Sequence, residues 1–403
     1  MNSPPMSFDS VPLARGREEI ARIADAAAAA AEVCLDLEAD SLHHYREKTC
    51  LLQIGISDGQ GTSLQEFLVD PLAGSDLSPI FRALAGKTLV MHGADYDLRR
   101  MAQDFAFRPT AIFDTMLAAR FAAHSAVGFD ALAKRYANVE LDHGAQKADW
   151  SQRPLPPRLV RYAIGDVHWL PIVAREIRAE LAALGRVEWH RQQCAQLIQL
   201  SEQAPNGRED PWRIRGAAKL DAFALAALRE LWQWREKEAE GWDRPVFMVL
   251  LNARLLELAE WAAAHPRGDL GTAPQLPRRW PPRRWKTLRA ALERVWALSP
   301  ADYPPPHIHP PRPPFDPHFG PRLERLKAAR GTIAEDLRLD PSILAPNAML
   351  ESVCRVDPRS LDDFAKVERW LPWQTELFGP SFLRACGPGH PLPPKRRPRA
   401  DRR

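Results

Sequence analysis

Apolar residues recur at helical spacing over residues 18–31, where Ile20, Ile23, Ala24 and Ala27 share one face, and this predicts a helix. The period then changes. Residues 33–37 (VCLDL) and 49–57 (TCLLQIGIS) are short and almost wholly apolar, as strands are, and Asp58-Gly59 marks a turn into a third strand at 64–69. Further along, the pattern predicts a helix at 76–85, a strand at 88–91, a helix starting near Asp97 and a strand at 112–113. Helices at 115–121 and 128–136 follow, and 157–184 reads as one long helix. A three-strand meander followed by alternating strands and helices predicts an α/β domain, a mixed sheet flanked by helices, over residues 18–203.

Beyond it the chain changes character. Residues 204–210 (APNGRED) break the pattern, so 204–219 is expected to be a linker. Residues 220–300 read as helical, interrupted at Pro245 and over 266–282. Residues 304–317 (PPPHIHPPRPPFDP) are too proline-rich for a core, which makes 301–320 a second, extended linker. Helical patterning resumes over 321–386, and 387–403 is a basic tail. The two helical stretches repeat weakly: Leu225, Leu228, Arg229, Pro245, Leu250, Asn252 and Leu255 parallel Leu323, Leu326, Lys327, Pro341, Leu344, Asn347 and Leu350. The chain of 403 residues is long enough for two to four domains, and residues 1–17 are expected to be a flexible lead.

Composition narrows the class. The five cysteines are odd in number, widely spaced and without a C-x-x-C pair, which excludes a disulfide framework or structural zinc and fits a reducing compartment. The start lacks a cationic segment followed by an apolar one, and no apolar run is long enough to span a bilayer, so a cytoplasmic location without membrane contact is expected. A formal net charge of +4 says little about a polyanionic partner; local clustering matters more.

Three acidic sites carry candidate chemistry. Asp36 and Glu38 lie two apart at the end of the first predicted strand, so alternation puts both carboxylates on one face. Such a pair repels unless a cation sits between, and a hard divalent ion with oxygen ligands fits. The second site, in His92-Gly93-Ala94-Asp95-Tyr96-Asp97, opens a helix after a buried strand. The third is Tyr162 and Asp166, four apart on a helix and therefore on one face. Each has an ordinary reading taken alone: a solvated strand edge, an N-terminal cap, a helix surface.

Together and in this order they resemble the DEDD exonucleases, and the tyrosine places the chain in the DEDDy subgroup. The flanking text resembles the ribonuclease D family and its eukaryotic exosome relatives: Asp36–His43 (DLEADSLH), residues 49–55 (TCLLQIG), His92–Asp97, Phe113-Asp114-Thr115, and residues 149–155 (DWSQRPL). The resemblance covers residues 18–184. Asp95 and Asp97 compete for the second site, and family spacing from His92 selects Asp97. Arg161 stands where the histidine subgroup places its histidine, which leaves Tyr162 beside the water. One departure is Ala39, where many members carry an aromatic.

The resemblance implies an α/β ribonuclease H-like exonuclease domain, with Asp36, Glu38, Asp97 and Asp166 holding two divalent ions, Mg²⁺ or Mn²⁺. It assigns Asp36, Glu38 and Asp166 to one ion and Asp36 with Asp97 to the other. Such pairs, roughly 3.5–4 Å apart, clamp an in-line phosphoryl displacement. Tyr162 would orient the attacking water, since a phenol is a weak base. The implied reaction removes nucleoside 5′-monophosphates from single-stranded RNA 3′ ends, with tRNA precursors as substrates and the chain acting as a monomer. Two other readings remain: a DNA 3′→5′ exonuclease, and a nucleic-acid-binding scaffold with a dead nuclease fold. The presence of all four acids speaks against the latter.

His43 and His44 divide evenly between phosphate contact and simple solvation, and His92 is a candidate nucleic-acid contact. His307 and His309 lie in the Pro-rich spacer, which offers no fixed metal geometry. Residues 220–300 resemble an HRDC domain through Leu225, Leu228, Arg229, Arg244-Pro245-Val246-Phe247 and residues 255–259, and 321–386 resembles a diverged second copy. Trp232, Trp234 and Trp261 read as core. The run Arg278, Arg279, Trp280, Arg283, Arg284, Trp285 and Lys286 interleaves cations with indoles and is expected to contact RNA. The tail cations, from Lys395 to Arg403, add sequence-blind attraction. Deleting residues 387–403 is therefore expected to flatten the salt dependence of RNA affinity in a binding titration; an unchanged slope removes the tail from the binding account.

Overall fold

The computed structural model describes residues 11–57, 64–142, 144–202, 210–274, 276–277, 279–306 and 315–387. Several sequence expectations lie outside these residues: the turn at Asp58-Gly59, Arg278, His307, His309, residues 1–10 of the lead, 204–209 and 307–314 of the linkers, and 388–403 of the basic tail.

Six strands form one mixed sheet: β1 (Leu13–Ala14), β2 (Glu32–Ala39), β3 (Thr49–Ser57), β4 (Leu64–Val69), β5 (Thr88–Met91) and β6 (Ala111–Asp114), in the order β1-β4-β3-β2-β5-β6. β2, β3 and β4 make the antiparallel meander, while β5 and β6 extend it in parallel beyond β2. β2 thus lies inside the sheet, and its alternation decides where chemistry can occur. Val33, Leu35 and Leu37 point into a core under α1 (Arg17–Ala29), α2 (Ser78–Leu84) and α3 (Asp95–Phe105), whereas Cys34 points to the opposite face with Val167 and Leu170. Asp36 and Glu38 share the Cys34 face.

That face is covered by α6 (Pro157–His168) and α7 (Leu170–Ala183). The single helix expected over 157–184 is broken at Trp169. Pro171 has no N–H to offer the Val167 carbonyl, so the α-helical ladder cannot continue past it. α6 approaches β3 closely because Gly55 has no side chain: a Cβ there would stand 3.0 Å from the Val167 carbonyl oxygen and 3.3 Å from Cys34 Cβ.

The expected flexible lead is partly ordered. Leu13 and Ala14 pair in parallel with Leu68 and Val69, and two residues are too few to show a strand period. Arg15 and Arg153 both reach the buried Asp70 carboxylate, at 2.9 Å and 2.5 Å.

The first helical region consists mainly of α9 (Ala222–Trp242), α11 (Asn252–Ala264) and α12 (Pro282–Trp296), with the short α10 (Val246–Val249) between them. Its core also takes in Trp212 and Ala217, so the second half of the expected 204–219 linker belongs to this domain. The second region contains α13 (Phe319–Leu337), α14 (Pro341–Leu344), α15 (Asn347–Val356) and α16 (Pro372–Cys386). It has no core of its own. Leu326, Val353, Trp373 and Phe378 form one buried cluster with Ala118, Phe121, Val173 and Ile177 of the α/β domain. Trp189 on α8 (Val187–Glu202) stacks on Trp373 at 4.9 Å, and the Arg186 guanidinium donates to the carbonyls of Phe121 and Leu337. Among the described residues, no helix is long and apolar enough to cross a membrane.

Gly55→Val is expected to destabilise the chain by about 1–3 kcal/mol, because the added methyls meet the α6 backbone rather than a movable side chain. A wild-type midpoint in urea unfolding would show that α6 has room to retreat.

Candidate active site

The Cys34 face opens at the carboxyl end of β2 into a cavity of about 470 Å³, lined among others by Asp36, Glu38, His92, Tyr96, Asp97, Gln146, Tyr162 and Asp166. One carboxylate oxygen from each of Asp36, Glu38 and Asp166 lies within 4.8 Å of the other two. Asp97 faces the same cavity from the first turn of α3 and is 6% exposed. Asp95, two residues earlier, turns outward and pairs with Arg99 at 2.6 Å, and of the two aspartates it is Asp97 that lines the cavity. Tyr162 sits one turn before Asp166 on α6, as its spacing requires.

The four acids crowd one another. Burial is the largest influence on each and pushes every one of these carboxyls above its ordinary range, Asp36 to about 7. Neighbouring negative charge adds to this: Asp36, Asp166 and Asp97 act on Glu38, and Asp36, Asp114 and Asp166 act on Asp97. Among the described residues, the charged groups acting on Glu38, Asp97 and Asp166 are all carboxylates. An all-oxygen donor set with unrelieved negative charge in a half-buried cavity is what a hard divalent ion requires, so these residues fit such ions. Tyr162 is pushed above the usual phenol range by burial and then by Asp166, Glu38 and Asp36, and stays a neutral donor.

Several supporting groups escaped the sequence reading. Gln53 stands directly opposite Asp36 in the β2–β3 ladder, is fully buried, and donates from Nε2 to Asp36 Oδ2 at 3.2 Å. A single amide inside the otherwise apolar TCLLQIGIS strand was its available signal. Asp114 accepts four backbone N–H groups, from Gly93, Ala94, Met116 and Leu117, and so ties the turn before α3 to the start of α4 (Thr115–Phe121). Trp150 is fully buried with its ring 5.9 Å from that of Tyr162, and the Arg153 guanidinium links Asp70 to the Cys50 and Trp150 carbonyls. The 149–155 stretch is therefore scaffold behind Tyr162.

His92 does not act as a cation here. Thr115 donates to the Met91 carbonyl at 3.1 Å and accepts from His92 Nδ1 at 2.9 Å; burial first of all lowers the imidazole to about 4. The expected RNA-contact run is divided. Arg279, Arg283 and Lys286 are exposed, but Trp280 is buried, Trp285 packs against the helical core, and Arg284 is buried with its guanidinium 3.2 Å from Glu238 and 4.7 Å from the Trp242 ring centre. The indoles serve the domain's own packing, so base stacking on Trp280 is ruled out in this fold. Trp234 and Trp261 are core as expected, and Trp232 is packed against it.

Comparison with known proteins agrees with this geometry. Residues 14–182 match the family model described as 3'-5' exonuclease, and residues 224–265 and 320–386 match the HRDC domain model. The arrangement is thus a 3′–5′ exonuclease domain of mixed α/β architecture followed by HRDC helices. Ribonuclease D of Acidiphilium cryptum is 30% identical over 66% of this chain and 67% of its own length, and ribonuclease D of Pseudomonas paraeruginosa is 27% identical over 88% and 91%. Exosome complex component 10 of Homo sapiens is 30% identical over 61% of this chain but only 28% of that protein. The crystal structure of Escherichia coli RNase D, described as an exoribonuclease involved in structured RNA processing, shares the fold over 93% of this chain and 98% of that one, with a TM-score of 0.68 and 24% identity. The chain belongs to the ribonuclease D family of 3′–5′ exoribonucleases.

With the site free of cations, the raised Asp36 carboxyl makes a signed prediction. Its ionisation costs the folded state nothing below about pH 4 and its full penalty above about pH 7. In chelator the chain is expected to lose stability as pH rises through that window, and Asp36→Asn to blunt the loss, giving the variant the higher melting temperature at pH 8 but not at pH 4. Equal melting temperatures at pH 8 would show that ionising the buried Asp36 carboxyl costs the fold nothing.

Proposed function

We propose that the chain removes nucleoside 5′-monophosphates one at a time from the 3′ ends of single-stranded RNA, with tRNA precursors as its natural substrates and Asp36, Glu38, Asp97 and Asp166 holding two Mg²⁺ or Mn²⁺ ions. The observation that supports it is the meeting of these acids, 130 positions apart from Asp36 to Asp166, in one cavity. Bound there, such ions supply Lewis-acid stabilisation to an in-line displacement at phosphorus and lower the pKa of water. The protein's part is positional. Asp36 and Glu38 come from a strand fixed on both sides, Asp97 from a helix start tied down by Asp114, and Asp166 from a helix drawn close by Gly55. Tyr162, kept as a phenol by the surrounding carboxylates, orients the attacking water by hydrogen bonding and takes no proton itself. RNA is favoured over DNA by membership of the ribonuclease D family and by the HRDC regions that accompany the site.

The test is incubation of the full chain with a 3′-tailed RNA and its DNA counterpart, in Mg²⁺, Mn²⁺ or chelator, with release of mononucleotides as readout. Release from RNA in either metal and none in chelator is expected; preferential release from DNA would overturn the substrate assignment. Asp36→Ala and Asp97→Ala are expected to abolish release while the chain stays folded, and full activity in Asp36→Ala would sink the site. Tyr162→Phe is expected to slow single turnover by about 10²-fold or more and spare RNA affinity. A wild-type rate would remove its role.

A further inference from the structure

The loop between β2 and β3 leaves the site immediately after Glu38 and is held from two directions. On one side it meets the carboxyl end of α9 in the first HRDC domain. Asp243 caps that helix in the left-handed conformation, accepts from the Tyr45 backbone N–H at 3.2 Å, and lies 2.7 Å from His44 Nδ1. Arg244 donates to the His43 carbonyl at 2.7 Å, and the Tyr45 side chain packs against the HRDC core with its hydroxyl 3.1 Å from Glu236.

On the other side the same two histidines grip the segment 144–151. His43 Nε2 donates to the Lys147 carbonyl at 3.0 Å, and His44 Nε2 lies 2.9 Å from Ser151 Oγ, which donates to Asp149. This segment carries two groups beside Tyr162: Gln146, which lines the same cavity, and Trp150, fully buried with its ring 5.9 Å from that of Tyr162. A continuous series of direct contacts therefore runs from the end of α9, through His43 and His44, to the Tyr162 side chain.

We propose that Asp243 and Arg244 are positioning residues for the exonuclease site: through His43 and His44 they clamp residues 144–151 and so fix Tyr162, making the first HRDC domain part of the catalytic apparatus as well as a neighbour of it. The inference rests on the active-site reading above. It assigns His43 and His44 to a structural relay, and it gives the Arg244-Pro245 turn a task other than RNA contact. A phenol displaced by even 1 Å misdirects its water, which is enough to cost an order of magnitude or more in rate.

The clamp is tested in the full chain with the Asp243→Ala/Arg244→Ala double variant and with Arg244→Met, which removes the contact to His43 while keeping bulk. Amide hydrogen exchange, read without RNA or metal, is expected to show faster exchange at Ala148 and Ser151, with α9 still protected. Single turnover is expected to slow about ten-fold in the double variant and less in Arg244→Met, with RNA affinity unchanged. On a Tyr162→Phe background the same substitutions are expected to cost nothing more, because the clamp acts through that hydroxyl. Wild-type exchange at 144–151, a loss confined to RNA affinity, or an equal fold-loss in both backgrounds would each overturn the proposal. If α9 itself melted in the double variant, Arg244→Met decides by the same criteria. A wild-type chain that releases no nucleotides defeats the exonuclease reading, whereas the exchange measurement judges the clamp on its own.

Discussion

The structure is organised around a repulsion. Four carboxylates are brought to one half-buried cavity, where burial raises the cost of ionising every one of them and neighbouring carboxylates add to that cost at Glu38, Asp97 and Asp166. Nothing local favours that arrangement, so the rest of the fold must hold it. A strand interior to the sheet supplies two of the acids, a helix start pinned by the fourfold acceptor Asp114 supplies the third, and a helix packed tightly against Gly55 supplies the last. Even the orientation of Asp36 is secured, by a fully buried amide directly across the ladder. The cost of that crowding is one that a bound divalent ion would relieve.

How much of this was legible follows from the range of the interactions. The strand at 49–57 could be read to the residue because burial on both faces leaves it a nearly continuous apolar run, and the turn signal after it placed the strand at 64–69. The shared face of Asp36 and Glu38 followed from strand alternation, and that of Tyr162 and Asp166 from the helical repeat. Where a feature depended on a distant partner, the text was silent. β1 exists only through β4; Gln53 looks like any polar interruption until Asp36 is placed opposite; Asp95 and Asp97 differ in role only because helix α3 turns one inward. The break at Trp169 was in principle readable from Pro171, but the strong apolar period on either side concealed it.

The Arg-rich stretch that opens α12 shows how a composition signal can point the wrong way. Alternating guanidinium and indole groups suit a polyanion, yet the same groups suit one another. Arg284 finds a carboxylate and a tryptophan face inside its own domain, and Trp280 lies 5.3 Å from Trp285. What remains outward is a set of separate cations, Arg279, Arg283 and Lys286. Burial, which the linear order cannot disclose, separates a docking surface from a self-satisfied fold.

The two helical repeats, alike in their family match, are joined to the nuclease in different ways. The first encloses its own apolar centre and touches the nuclease mainly through polar groups on one loop; the second shares a single interior with it, Phe121 and Trp373 meeting edge to face. The first therefore keeps an interior of its own and acts on the nuclease through the few groups that meet that loop. The second has become an organ of its host: a recombination event that removed it would lay bare Phe121, Val173 and Ile177 of the nuclease.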